Sequence, residues 1–200
     1  MHKYLIRAIS IIPEIGLFLL ITIAIGTLSS WYAIELGTPF NVARQGPWIR
    51  WTSAGLVDSD PYSRAHFSNR ELLPLDANII LSFEAAHDDH GKLLHSSCDY
   101  LLEGRNINAP WWMIAVFDAK GKLIPNIAQR YSFNSENVAY NPNGSFAIRL
   151  AREARPYNWL PTMRAGYIKI IFEAHRETRP LNTQQYKKLI LPSITRISCR

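Results

Sequence analysis

The chain has 200 residues, 48% of them hydrophobic and 19% charged, with a formal net charge of +6. That is too apolar for a disordered chain and long enough for one ordinary domain plus an appendage. The basic residues are scattered among acids, with no Lys/Arg run of five or more, which argues against a nucleic-acid-binding protein and leaves a weak attraction to anionic headgroups as the plain reading of the excess charge.

The first element is a charge-free run, IGLFLLITIAIGTLSSWYAI, from Ile15 to Ile34. Its length, about 20 residues, suits a helix that spans a bilayer. Lys3 and Arg7 precede it and Trp31 and Tyr32 close it. This pattern predicts a cytoplasmic N-terminus, an interfacial aromatic belt and a periplasmic remainder. A cleavable signal peptide is the competing reading, because Ala24-Ile25-Gly26 resembles a small-x-small cleavage site. The apolar run continues past that site, which favours a retained anchor. The organisation expected is therefore a cytoplasmic N-terminus and anchor over 1–34, a connector over 35–57 and an exported domain over 58–200.

The connector carries a short strand around Trp48 to Trp51. DSDPYSRAHFSNRELLPL then predicts a helix from Pro61 to Leu72, capped by Asp60 and stopped by Pro74. From Ile79 the period changes to two: Ile79, Leu81, Phe83 and Ala85 share one face and Ile80, Ser82 and Glu84 the other. DDHG predicts a turn, after which Cys98, Tyr100 and Leu102 align. WWMIAVFD is apolar on both faces, as a central strand would be, and KLIPN returns from it. RYSFNSENVAY, SFAIRLA, GYIKIIFEAHR and ITRISC complete a series of short strands separated by Asn/Asp/Gly turns, with LNTQQYKKLILP as a connection. Such a series is the mark of a mainly β chain, an antiparallel sandwich or barrel.

Export would place Cys98 and Cys199 in an oxidising compartment. If their strand faces meet in one core they form a disulfide that staples the last strand to the sheet; otherwise they are two buried thiols. HDDHG, from His87 to Gly91, is the most metal-like cluster, but it lacks the spacing of a known zinc site and reads better as a solvated hairpin tip. No metal, cofactor or catalytic residue is assigned.

The order of motifs GPWIRW, DPYSRAHF, CDYLLEG, WWMIAVFDAKGKLIPN, RYSFNS and NWLP resembles the bacterial domain-of-unknown-function 1214 family over residues 46–199, most closely its short, singly membrane-anchored members. The resemblance implies an antiparallel β-sandwich of jelly-roll type, to which the residues add the one short helix. It also implies a companion domain of the uncharacterised 1254 family, which here would be a separate polypeptide. It carries no catalytic role.

The ligand-binding candidates are Arg130, Tyr131, Asn134, Asn158, Trp159, Trp111 and Trp112. Arg130 offers a carboxylate fork, the asparagines offer amide hydrogen bonds, and the tryptophans offer stacking faces for a sugar ring or another flat ligand. NWLP, Asn158 to Pro161, admits two readings: a structural corner with Asn158 in a tight turn, or a pocket wall. The function expected is a membrane-anchored envelope protein whose periplasmic domain binds a ligand, such as carbohydrate, or a protein partner; an envelope enzyme acting on a small molecule or glycan is the alternative.

Overall fold

A computed structural model describes residues 2–105, 107–175 and 189–200. The expected connection LNTQQYKKLILP falls mostly outside them. The chain opens with helix α1 (His2–Glu35) and continues through β1 (Val42–Gln45), β2 (Trp48–Trp51), α2 (Pro61–Asn69) and β3 (Ile80–Ala85). It goes on through β4 (Cys98–Arg105), β5 (Trp112–Asp118), β6 (Ser132–Asn134) and β7 (Ser145–Ala151), then β8 (Asn158–Pro161), β9 (Ile168–His175) and β10 (Ser193–Cys199).

Within α1, Pro13–Glu35 is long and apolar enough to cross a membrane, as an anchor or as a signal sequence. Its apolar side chains face outward: Phe18 is 68% exposed and Leu28 66%. The helix therefore does not serve the core of the domain. Its last turn meets α2. Arg70 bonds Glu35 at 2.6 Å, and His66 Nδ1 lies 2.7 Å from the Ile34 carbonyl.

The strands form two sheets, in the orders β1-β2-β3-β9-β5-β6 and β10-β4-β7-β8. The mainly β architecture is as the alternation predicts. Among the described residues every strand pairing is antiparallel except one: β8 runs parallel to β7, with Leu150 beside Leu160. Along β3, β4 and β9 inward side chains alternate with outward ones. Leu81, Phe83, Trp112, Ile114, Ile170 and Phe172 from the six-stranded sheet meet Tyr100, Leu102, Phe146, Ile148, Leu150 and Ile194 from the other in one core. Trp112 stacks on Phe146 with ring centroids 4.5 Å apart, across the gap between the sheets. Gly104 pairs with Phe146, and a Cβ there would run into the phenyl ring, so only glycine lets the ring lie over β4.

Several details differ from the sequence reading. Helix α2 stops at Asn69 and not Leu72, because Glu71 takes φ +54° and the Leu72 N–H turns back to the Phe67 carbonyl. Asp60 caps the helix as expected, accepting from the Tyr62 and Ser63 N–H groups at 3.0 Å. KLIPN makes only a bridge, Leu123 to Phe117, and is not a strand. NWLP is a strand and not a corner. The residue with positive φ is Tyr157, at +66°, while Asn158 is extended.

The tip at HDDHG is not fully solvated. Asp88 is 1% exposed, pairs with Arg196 (Nε to Oδ2 3.0 Å), and accepts from the His90 and Lys92 N–H groups. Asp89 accepts the Ile194 N–H at 2.8 Å. The tip thus clamps β10. Among the described residues no group of three or more His, Cys, Asp or Glu could hold a metal ion.

Cys98 and Cys199 are joined in a disulfide. They do not meet through a shared interior. A register shift between Arg196 and Ser198 turns Ile197 outward, 60% exposed, and sets Cys199 directly beside Cys98 on the neighbouring strand. The bond closes a sequence separation of 101. Cys199→Ser should lower the unfolding free energy by up to about 4–5 kcal/mol, the chain-entropy value for a loop of that size. Denaturant unfolding of the variant beside the oxidised and reduced parent measures it; equal midpoints for all three would contradict the assignment.

Candidate functional site

The outward face of the six-stranded sheet is not bare. Alternation places Ile49 and Trp51 on β2, Ser82 and Glu84 on β3, and Lys169, Ile171 and Glu173 on β9 on that side. The register aligns them: Glu84 lies opposite both Ile49 and Ile171, and Ser82 opposite Glu173. Helix α2 and the strap over residues 70–77 rise above this face. Together they enclose a cleft of about 410 Å³.

The strap is held by backbone. The Ala77 N–H donates to the Ala54 carbonyl, and Gly55, at φ +70°, lets the Leu75 carbonyl come close; a Cβ there would collide with it. Most of the lining is apolar, including Ile49, Trp51, Phe67, Leu72, Ile171 and Phe117. Leu73 stands 98% exposed on the strap.

The polar groups are few and placed. Lys169 bonds Glu84 at 2.7 Å. Burial pushes the Glu173 carboxyl above its ordinary pKa, against a small opposing pull from His175. His66 lies over Trp51 with ring centroids 3.9 Å apart. The same nitrogen of His66, Nδ1, meets both the Ile34 carbonyl, which can only accept, and Arg70 Nη1 at 2.9 Å, which can only donate. Burial lowers the His66 pKa, and the nearby Arg70 adds to that against the Ile34 hydrogen bond. The arrangement has the character of a small-molecule site: an apolar body with a few fixed polar groups.

None of the seven candidates from the sequence lines this cleft. Arg130 is exposed, with its guanidinium 5.6 Å from the centre of the Phe133 ring; its backbone is tied to the Asn126 side chain. Tyr131 is half-buried just before β6. Asn134 accepts from the Glu136 and Asn137 N–H groups and shapes the turn after β6. Asn158 is 4% exposed; its amide donates to the Ala139 and Ala147 carbonyls and accepts the Ala139 N–H. Trp159 is half-buried and donates from Nε1 to the Ala151 carbonyl at 3.0 Å. Trp111 packs edge-on to His175, whereas Trp112 is 3% exposed in the core. The adjacent tryptophans therefore point to opposite faces of β5 and make no joint platform.

The fold and cleft define a two-sheet β domain with an amphipathic site on one outer face. Residues 80–178, about half of the chain, match the family described as Protein of unknown function (DUF1214), and the chain belongs to that family. The matched stretch holds β3 to β9, hence much of the cleft floor, while β2 and α2 lie before it. The structure is similar to the crystal structure of the VPA0106 protein from Vibrio parahaemolyticus, with a TM-score of 0.56 and 16% identity over 72% of this chain and 37% of that one. An uncharacterized protein from Burkholderia cenocepacia aligns with a TM-score of 0.42 at 16% identity, over 60% of this chain and 30% of that one. The chain thus spans well under half the length of either. No curated protein matches the sequence.

Two substitutions check the local physics. Asn158→Ala should cost about 1–3 kcal/mol for each buried backbone group left without a partner, read as a fall in denaturation midpoint. Glu173→Gln should stabilise the protein at neutral pH. The folded-state pKa lies above the ordinary 4.5, so the parent loses stability as pH rises through that window and the glutamine variant does not. The two proteins should converge below pH 4, where both side chains are neutral; a constant difference across pH would refute this cause.

Proposed function

We propose that this is a single-pass inner-membrane protein whose periplasmic domain, a β-sandwich of jelly-roll type, binds a small ligand in the cleft under α2. In this reading residues 15–34 span the bilayer and Lys3 and Arg7 hold the N-terminus in the cytoplasm. The outward-facing apolar surface of α1 supports the anchor. The observation that carries the binding function is the cleft itself: its volume lies in the ~300–1,000 Å³ range of ligand sites. Its mostly apolar lining favours an apolar or amphipathic ligand over the carbohydrate that the tryptophans alone suggest. A separately encoded domain of the 1254 family is kept as the protein partner, to be sought by co-purification.

An enzyme acting on a small molecule or glycan is the second reading. Glu173 favours it, as a cleft carboxyl that keeps its proton to higher pH than usual.

Native mass spectrometry of the full chain taken from membranes tests the proposal. A mass beginning at Met1 and a bound small molecule are expected. Ile171→Trp, which fills the cleft, should lose the bound molecule while melting normally. A mature chain starting near Thr27 or Ser30 would sink the anchor, and an adduct indifferent to Ile171→Trp would sink the cleft.

A further inference from the structure

The cleft has two unlike ends. At one, Lys169 stands opposite Phe117 in the register, and the turn that follows β5 brings Lys120 into the lining. At the other, Trp51, His66 and Phe67 cluster, on the side where α2 meets the last turn of α1. Leu72, Leu73 and Leu75 of the strap line the cleft while remaining 48%, 98% and 49% exposed. Apolar side chains that both line a cleft and face solvent suit an occupant with an apolar body.

The charges of the lining are unequal. Arg70 is tied to Glu35 and Lys169 to Glu84, whereas Lys120 carries its charge on the exposed turn after β5. The other carboxyl of the lining, Glu173, sits in surroundings that disfavour its ionised form. An anionic group is therefore the complement. Glu84 bonds Lys169 at 2.7 Å, so a dianionic head would meet a carboxylate at close range, and a single negative charge fits better. The volume lies toward the small end of the ligand-site range, which suits one chain and not two.

We infer that the cleft takes a long-chain carboxylate, its aliphatic chain along Ile171, Trp51 and the strap leucines and its head at Lys120 and Lys169. This rests on the ligand-binding reading above and names its ligand class. Burial of the chain supplies the affinity, and the two lysines set the orientation and the preference for an anion. The apolar end adjoins the terminus of α1, so a chain-first approach from a bilayer is short.

Photolabelling of the full chain in lipid nanodiscs tests it. The probes are a diazirine-bearing long-chain carboxylic acid and the matching alcohol, with labelled peptides mapped. The acid should label the peptides holding Ile171 and Leu72–Leu75 about tenfold more than the alcohol does, the ratio that corresponds to ~1.4 kcal/mol. Lys120→Gln/Lys169→Gln should erase that preference, and Ile171→Trp should erase labelling by both probes. Equal labelling by acid and alcohol, or a preference that survives the double lysine variant, overturns the inference. If neither probe labels the cleft while the native-mass adduct still depends on Ile171, the ligand class is wrong and the binding site stands. If the adduct is missing too, both fall.

Discussion

Trp112 on β5 and Phe146 on β7 belong to different sheets, and the stack between them fixes how the sheets lie on one another. Phe172 joins the group from the centre of the six-stranded sheet, within 6.2 Å of Trp112. Flat rings stacked this closely tolerate little sliding or rotation, and together they bury a large part of the apolar area that drives folding. The glycine at 104 is the corresponding concession on β4. Once this contact is set, the pleat decides the rest: every second residue of β3 and β9 is inward, and the residues between are committed to the outer face.

That commitment explains both what was legible in the sequence and what was not. The inward sets Leu81/Phe83/Ala85, Cys98/Tyr100/Leu102 and Phe146/Ile148/Leu150 follow from period two alone and are buried, whereas Ile79, read with the first set, lies just before β3 and is 60% exposed. Asp60 followed by Pro61 is a local capping signal, and it places the start of α2 correctly. The disulfide was readable as a pairing but not in its geometry, since the register shift after Arg196 is a feature of pairing between distant strands. The parallel β7–β8 pair and the buried Asp88 were hidden for the same reason. Each depends on which segment lies alongside another, and no short window of sequence records that.

The site shows the limit most clearly. Ile80, Ser82 and Glu84 read as an outer face, and an outer face reads as solvent. The cleft exists because a distant segment, α2 with its strap, comes back over that face. Side chains with evident chemical character drew attention elsewhere. Asn158 is rich in hydrogen-bonding capacity, but it spends that capacity on two neighbouring backbone segments. Trp112 has the largest stacking face on β5, but that face holds the sheets together. Lys169, Ile171 and Glu173 have no motif around them; they become a site only through the register that sets them beside β3.

The anchoring of β10 has a separate bearing on how the molecule withstands damage. β9 and β10 belong to different sheets, and β10 is tied by Asp88 and Asp89 as well as by Cys199. A protease cut anywhere between those two strands would leave the final piece still covalently attached through sulfur and still registered on β4. In an oxidising compartment the clipped protein would run as a single species until a thiol reduced the Cys98–Cys199 bond. Persistence of the fold after nicking would then be governed by the redox state of its surroundings and not by the continuity of its backbone.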